Sequence, residues 1–552
     1  MNKKIIPSLL TSAAAAGLLL ALLLLLAGTG RSQAAATPPQ RPAGVLAAPV
    51  SVITVTSGTD PDTSNSSTCL SASPCTLRRA VIQARNLPVI QKPVLIAFDI
   101  PADAAEGYVA ARQIWKIQFS GISTDLSALR YLNGDIIIDG NTQPGGRTTG
   151  PKIILVGPGT GQYDALKLGA TQTQNGNEIR GLGFQMFKTH VYVNSSNNII
   201  EGNWFGLNDD GTGIVLRGGG EDDGSGNTGV SVGANVTGNR VQYNVFAGLA
   251  GVAAAINGDD GFFVHNYVGT AADGTVPGKQ TASGLICSPV DWLGGSGLSM
   301  SGDGNTIEDN IIAGIRIAVE PPTIQADAIR VGGDHHIIRN NRIGVDADGA
   351  KIGVCGRGIY LQSGTEFNQI VTNQIVEPGL SAISLNDTPV VSTSDANTLR
   401  GNVIEKSTPW GEIEGNNSPE DAIQITKSLP DAFRNFNSAA ITEIDGVHLS
   451  GTSGANSPCP NCVVEIFLDD SDAITEALQS LAVVTADADG NWSATLPAAL
   501  AAGQGLRTTS TTAQYNTIAG MSAGTTTGLS PLVTPGSGPA DERKIFLPLV
   551  IR

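Results

Sequence analysis

Two adjacent acids, Asp259 and Asp260, follow Gly258 in a stretch of short apolar and polar runs. Paired carboxylates can do acid/base work, one protonating a leaving group while the other activates water. An Asp-Asp-Gly run is also a common tight turn, so the pair carries two readings. Further acids recur at a fixed place, in Gly206-x-x-x-Asp210-Gly211, Gly269-x-x-x-Asp273-Gly274 and Gly344-x-x-x-Asp348-Gly349. Together with Asp346 they have the oxygen chemistry of calcium ligands, although the distal glutamate of an EF-hand is missing. Unliganded Asp-Gly turns are the plainer account. Trp204 and Trp292 lie on or beside the same loops and offer ring faces of the kind that pack against sugars. His336 stands where a recurring asparagine is otherwise found, which favours a structural substitution over a metal or acid/base role.

A repeat positions these candidates. The phrase asparagine, spacer, apolar residue, two spacers, asparagine recurs at Asn198/Ile200/Asn203, Asn239/Val241/Asn244, Asn305/Ile307/Asn310, Asn368/Ile370/Asn373 and Asn397/Leu399/Asn402. Gly261/Phe263/Asn266 and His336/Ile338/Asn341 keep all but the first asparagine. Branched apolar residues alternating with polar ones describe a short strand, and the flanking Gly and Asn mark tight corners. One phrase is therefore one rung of a solenoid. The second asparagines, Asn203, Asn244, Asn266, Asn310, Asn341, Asn373 and Asn402, predict a structural ladder in which each amide bonds to its equivalent one rung away. They lie 41, 22, 44, 31, 32 and 29 residues apart, so rungs longer than the shortest interval must carry loops. Loops on one side of a solenoid form a wall, and such walls are where solenoids bind.

Composition bounds the partners. The 552 residues include 68 glycines and only 5% aromatics, which suits thin stacked rungs with small core side chains. A formal charge of −16 and the absence of a basic run argue against nucleic acid. The same charge repels polyuronates unless salt or calcium intervenes, so neutral glycans are the easier partner. Lys3 and Lys4, an apolar stretch to about Ala27 and then Ser32-Gln33-Ala34 form the three parts of a secretory signal peptide, assigned to residues 1–36. An uncleaved anchor is the alternative; nothing later in the sequence is long and apolar enough to span a membrane. In an exported chain the cysteines invite pairing, Cys69 with Cys75 and Cys459 with Cys462, leaving Cys287 and Cys355 either paired or free.

Residues 37–50 read as a linker, and Cys75-Thr-Leu-Arg-Arg-Ala-Val as a short helix following a strand at Val52 to Val55. That helix resembles the CSLREA-type cap of exported bacterial β-helix proteins, with Arg79 where the family usually has glutamate. Ile138-Asp139-Gly140-Asn141-Thr142-Gln143-Pro144-Gly145 resembles the Asp-Gly-Thr-Thr-Gln-Pro-Gly phrase that often follows it. The resemblance implies an all-β fold, a right-handed, pectate-lyase-like parallel β-helix over residues 51–435 with its N-terminal cap in 51–100. Most proteins with this cap have no defined activity, so function has to be argued from the site. Gly258-Asp259-Asp260 resembles the Gly-Asp-Asp element of polygalacturonases, but the Asn-Thr-Asp, Gly-His-Gly and Arg-Ile-Lys elements of that family are missing.

Thr485-Ala-Asp-Ala-Asp-Gly-Asn-Trp-Ser-Ala-Thr-Leu-Pro resembles bacterial immunoglobulin-like modules, which places a small β-sandwich spacer at 440–525. Residues 526–552 read as a flexible linker and an apolar tail, either a last strand or a sorting signal. The expectation is an exported or cell-surface protein engaging an extracellular glycan or cell-surface polymer as a binding, adhesin-type or structural module. The alternative is a glycoside hydrolase or polysaccharide lyase acting in a groove along the β-helix.

Overall fold

The computed structural model describes residues 48–535 apart from 62–66, 120–127, 159–162, 216–227, 250, 278–292, 295, 317–325, 386–395, 408–420, 426–435, 455–457 and 515–521. From Ile136 on, each turn of the chain contributes one short strand to each of three sheets, always in the same order. Ile199–Glu201 lies in sheet 1, Trp204–Phe205 in sheet 2 and Thr228–Val232 in sheet 3, and Arg240–Gln242 then returns to sheet 1. Neighbouring strands come from consecutive turns and pair in parallel. The fold is a parallel β-helix.

The register explains the repeat. Ile200, Val241, Phe263, Ile307, Ile338, Ile370 and Leu399 stack in sheet 1 as one buried column, so the apolar residue of each phrase packs on the next. Phe184, Phe205 and Phe246 form a second column in sheet 2, with stacked rings whose centroids are 5.1 and 4.7 Å apart. These columns bury apolar area, and Phe205 and Phe246 reach across the interior to His190 of sheet 3 and Phe263 of sheet 1 at 5.8 Å.

Both ends are covered. Helix α1 (Leu77–Asn86) places Leu77, Ala80, Val81 and Ala84 in the solenoid core at the first rung. Thr76 caps this helix by accepting from Arg79 N, and the buried Arg78 donates twice to Asp60, both bonds 2.7 Å. Arg79 itself donates to Pro74 O.

At the other end, residues 440–511 form two three-stranded antiparallel sheets, Ala440–Asp445/His448–Thr452/Asn491–Thr495 and Gln479–Thr485/Val463–Asp469/Gly505–Thr511. They enclose a core that includes Leu449, Ile466 and Trp492. This sandwich is not the free spacer the sequence suggested. Phe467 and Ala477 belong to the solenoid core, Glu465 accepts from Gly401 N, and the hydroxyls of Thr525 and Thr526 accept from Ala396 N and Leu399 N. An open last rung would present unpaired backbone and apolar surface, and the sandwich covers it. Bridges from Thr526 to Thr511 and from Val533 to Leu506 also carry the sheet beyond residue 525, where a linker was expected.

Candidate functional site

The asparagines build two ladders at the corners flanking sheet 1. At the corner from sheet 1 to sheet 2, the side-chain amides of Asn203, Asn244, Asn266, Asn310, Asn341 and Asn373 each donate to the Oδ1 of the next, ending at Asn402. Every one also donates to a backbone carbonyl, such as Asn310 Nδ2 to Phe263 O at 2.9 Å. The corner from sheet 3 to sheet 1 carries the first asparagines of the phrase. There Asn198 donates to Asn239 Oδ1, but the next rung has Gly261 and no side chain, so Asn239 Nδ2 is buried without a partner. His336 fills an asparagine position: its Nδ1 accepts from Asn305 N at 3.1 Å and its Nε2 faces Gly332 O at 3.0 Å. Accepting at Nδ1 requires the neutral ring, and burial lowers its pKa.

Asp259 and Asp260 lie at this same corner, away from the loops. Asp259 Oδ1 accepts from Asp303 N, Asp303 from Asp334 N, and Asp334 from Glu366 N, at 2.9, 2.8 and 2.7 Å. Asp259 is thus one step of a carboxylate ladder that closes successive corners. Asp260 occupies the left-handed turn beside it, with φ of 51°.

The Asp-Gly loops leave the corner from sheet 2 to sheet 3 and stack on one another two rungs apart, Ala272 N donating to Gly211 O and Ala347 N to Gly274 O. Asp210 Oδ1 accepts from the amide and hydroxyl of Thr212, and Asp273 Oδ1 does the same with Thr275. The Thr212 bonds, more than Arg112 at 2.9 Å, hold Asp210 below the usual carboxylate range. Asp346 is buried and closes its own loop by accepting from Ala350 N, while Asp348 is exposed. Two rungs span about 10 Å, too far for acids at equivalent loop positions to share one calcium with oxygens at about 2.4 Å. The expected calcium set is therefore not brought together. Among the described residues, carboxylate oxygens within 4.8 Å of one another occur instead at Asp470, Asp472 and Glu476 of the sandwich.

Trp204 is not available to a sugar. Only 8% exposed, it lies under the first Asp-Gly loop with the Arg147 guanidinium 4.6 Å from its ring. Trp292 lies outside the described residues, as do Cys287 and residues 536–552. Cys69–Cys75 and Cys459–Cys462 are bonded, and Cys355 is also in a disulfide.

The long connections (residues 206–227, 269–297, 313–328, 344–358 and 406–422) all lead from sheet 2 into sheet 3, and in the described residues the first two Asp-Gly loops pack over Trp204 and Tyr267 of sheet 2 before the chain enters sheet 3. The outward row of sheet 3 runs Ser299, Arg330, Tyr360, Ser384, Gln424 in register. Arg357 and Arg330 approach the Tyr360 ring at 4.3 and 5.6 Å. Gln362, with its amide oxygen turned to the guanidinium, accepts from Arg330 Nε and Nη2 at 2.8 Å.

Where these strands begin, Asp327 and Arg357 sit on adjacent rungs. Asp327 Oδ1 accepts from Arg357 N at 3.0 Å and lies 3.6 Å from its Nη1, while Oδ2 is buried without a hydrogen bond. Burial outweighs Arg357 and pushes this carboxyl up to about 6. Repeat reading missed the set because the phrase covers sheet 1 and its two corners. The usable signal was Asp-x-x-Arg and Arg-x-x-Tyr, each a few residues before the next phrase.

No protein-family model matches the sequence, and no curated protein matches it. Similar solved structures include the catalytic domain of a GH87 alpha-1,3-glucanase in complex with tetrasaccharides, 13% identical with a TM-score of 0.26. That match covers 61% of this chain and 58% of the glucanase domain, so this chain spans less than two thirds of it. The periplasmic alginate epimerase AlgG is 11% identical over 68% of this chain and 85% of its own, with a TM-score of 0.30. The tailspike protein of E. coli bacteriophage HK620 in complex with pentasaccharide is 10% identical over 75% and 85%, with a TM-score of 0.32. Scores this low transfer neither a site nor an activity.

Proposed function

We propose that this is an exported protein that engages an extracellular glycan on the outer face of sheet 3, as a binding or adhesin-type module. The observation that carries the reading is Arg330 and Tyr360 projecting from adjacent rungs of sheet 3, with Arg357 and the buried Asp327 beside them. A planar guanidinium beside an aromatic ring supplies directional donors and a flat contact, the combination that orients a sugar. The N-terminal cap and the sandwich are assigned, on the motifs quoted above, to the CSLREA-type and immunoglobulin-like classes.

One observation favours an enzyme as the second reading, namely that Asp327 can hold a proton near pH 6. Glycoside hydrolysis needs a second carboxyl about 5 to 9.5 Å away. Along the strand-entry column of described residues (Asp327, Arg357, Ser381, Asp421) the next carboxyl is three rungs on, about 14 Å, so a partner for Asp327 would have to come from another segment.

The test is titration with neutral and uronic polysaccharides, comparing wild type with Arg330→Ala and Tyr360→Ala and assaying reducing ends in parallel. Saturable binding without product, weakened about tenfold or more in either variant, supports the proposal. Product formation abolished in Asp327→Asn or Asp259→Asn establishes the enzyme reading. Binding indifferent to both sheet 3 variants removes this face.

A further inference from the structure

We propose that the free edge of the sandwich strand Gln479–Thr485 is the docking site for an apolar segment of this same chain, Lys544–Arg552, which lies outside the described residues and pairs there as one more strand. Gln479–Thr485 is the outermost strand of its sheet and pairs on one side only, with Val463–Asp469. Ala486 N donates to Cys462 O on that side, so the alternation of the ladder turns the N–H groups of Val483 and Thr485 outward. Among the described residues neither has an acceptor. The strand carries no charge and no proline, two usual guards of an exposed edge, and Val483 is 48% exposed. Leu481, Ala482 and Val484 are only partly buried against the sandwich core, so apolar surface continues to this rim.

Charge selects the occupant. Acids stand at both ends of the uncharged edge, Asp470 and Asp472 beside Glu476 before the strand begins, and Asp487 and Asp489 in the turn that follows it. All four aspartates are exposed. The same edge of a second copy would set acids against acids in either orientation, which is unfavourable. The sequence holds the complement: Arg543-Lys544, then Ile545-Phe-Leu-Pro-Leu-Val-Ile551, then Arg552. Its uncharged run equals the 7 residues of Gln479–Thr485 and brings a cation to each acidic end.

Reach sets the direction. Val533, Leu506, Leu468 and Gln479 stand in one line across the sheet. A strand beside Gln479 is four strand spacings from Val533, about 19 Å, and residues 534–543 extend to about 33 Å. The Gln479 end is the nearer one, so the segment enters there and runs parallel to the edge, with Lys544 at Asp470 and Asp472 and Arg552 at Asp487 and Asp489. When Leu547 and Leu549 turn their backbone groups to the edge, Pro548 faces away, where its missing N–H costs nothing and blocks a further strand.

The experiment is hydrogen exchange of the full chain, read by mass spectrometry on peptides spanning Gln479–Thr485, with Val463–Asp469 as the control for an intact sandwich. Wild type should exchange at least tenfold more slowly at the edge than Leu549→Asp, while the control strand stays the same in both. Lys544→Glu should lose at least fivefold of the protection, and adding Asp472→Lys should restore it whereas adding Asp489→Lys should not. Edge exchange that is the same in wild type and Leu549→Asp, fast or slow, overturns the inference. Protection that grows with protein concentration, together with a dimer by light scattering, means that a second copy supplies the strand and overturns the assignment to the same chain.

Discussion

At the scale of single residues, the corner asparagines illustrate how a polar side chain can be a core residue. Asn310 accepts at Oδ1 from Asn266 N and Nδ2 and donates to Phe263 O and Asn341, so removing it strands buried groups on both neighbouring rungs. Asn310→Ala should cost roughly 1 to 3 kcal/mol, whereas Asn257→Ala at an exposed position should cost little. Chemical denaturation of both variants decides it, and equal effects would remove the ladder from the account. His336 adds a pH signature. Its folded pKa lies below 6.5, so over the interval between the two values the unfolded chain binds a proton that the native state refuses. Stability is therefore present above 6.5 and falls as the pH drops into that interval, with a limiting slope of about 1.4 kcal/mol per pH unit. His336→Asn restores the repeat residue and should flatten the acid side of the stability curve. A slope identical to wild type would show that His336 does not govern it.

At the scale of elements, the stacked loops are held by close approach. Gly211 has φ of 76°, and a Cβ there would come within 2.5 Å of the Trp204 ring and 2.8 Å of Ala272. Gly202, with φ of 64°, has open space around it. Both alanine variants pay the left-handed backbone cost of about 1 kcal/mol, so Gly211→Ala should be roughly 1 to 3 kcal/mol worse than Gly202→Ala, the difference measuring the loop contact. Equal melting temperatures would mean that the first loop does not pack on Trp204 in solution. Rungs, corners and the three Asp-Gly loops were legible in the sequence because stacking forces the same residue into the same place on every turn. Sheet 3 was not, because connections of unequal length precede its strands and erase the period; Arg330 and Tyr360 pair across adjacent rungs yet have no fixed offset from the phrase. Trp204 was misread as exposed because a sheet's outward face is ordinarily wet, and here a loop lies over it.

At the scale of the molecule, the solenoid ends in the sandwich, and the join contains a carboxyl that prefers to be neutral. Glu476 accepts from Lys406 N at 2.6 Å, next to the bridge between Ile404 and Ala477, and burial, reinforced by Asp470, Asp472 and Asp469, pushes its pKa from 4.5 up to about 7. Over that window the native state binds a proton that the unfolded chain has released. The stability it contributes is thus complete below about 4.5 and is lost as the pH rises through about 7, opposite in sign to His336 and overlapping with it. The wild-type curve alone cannot separate two such terms, but the single variants can. Glu476→Gln keeps an acceptor for Lys406 N and removes the charge, so it should gain on the order of 1 kcal/mol at pH 8 and nothing at pH 4. Thermal unfolding at the two pH values tests this. A loss at pH 8 would mean that the ionised carboxylate is needed at the join, and that the sandwich is held to the last rung by charge rather than by the packing of Phe467 and Ala477 into the solenoid core.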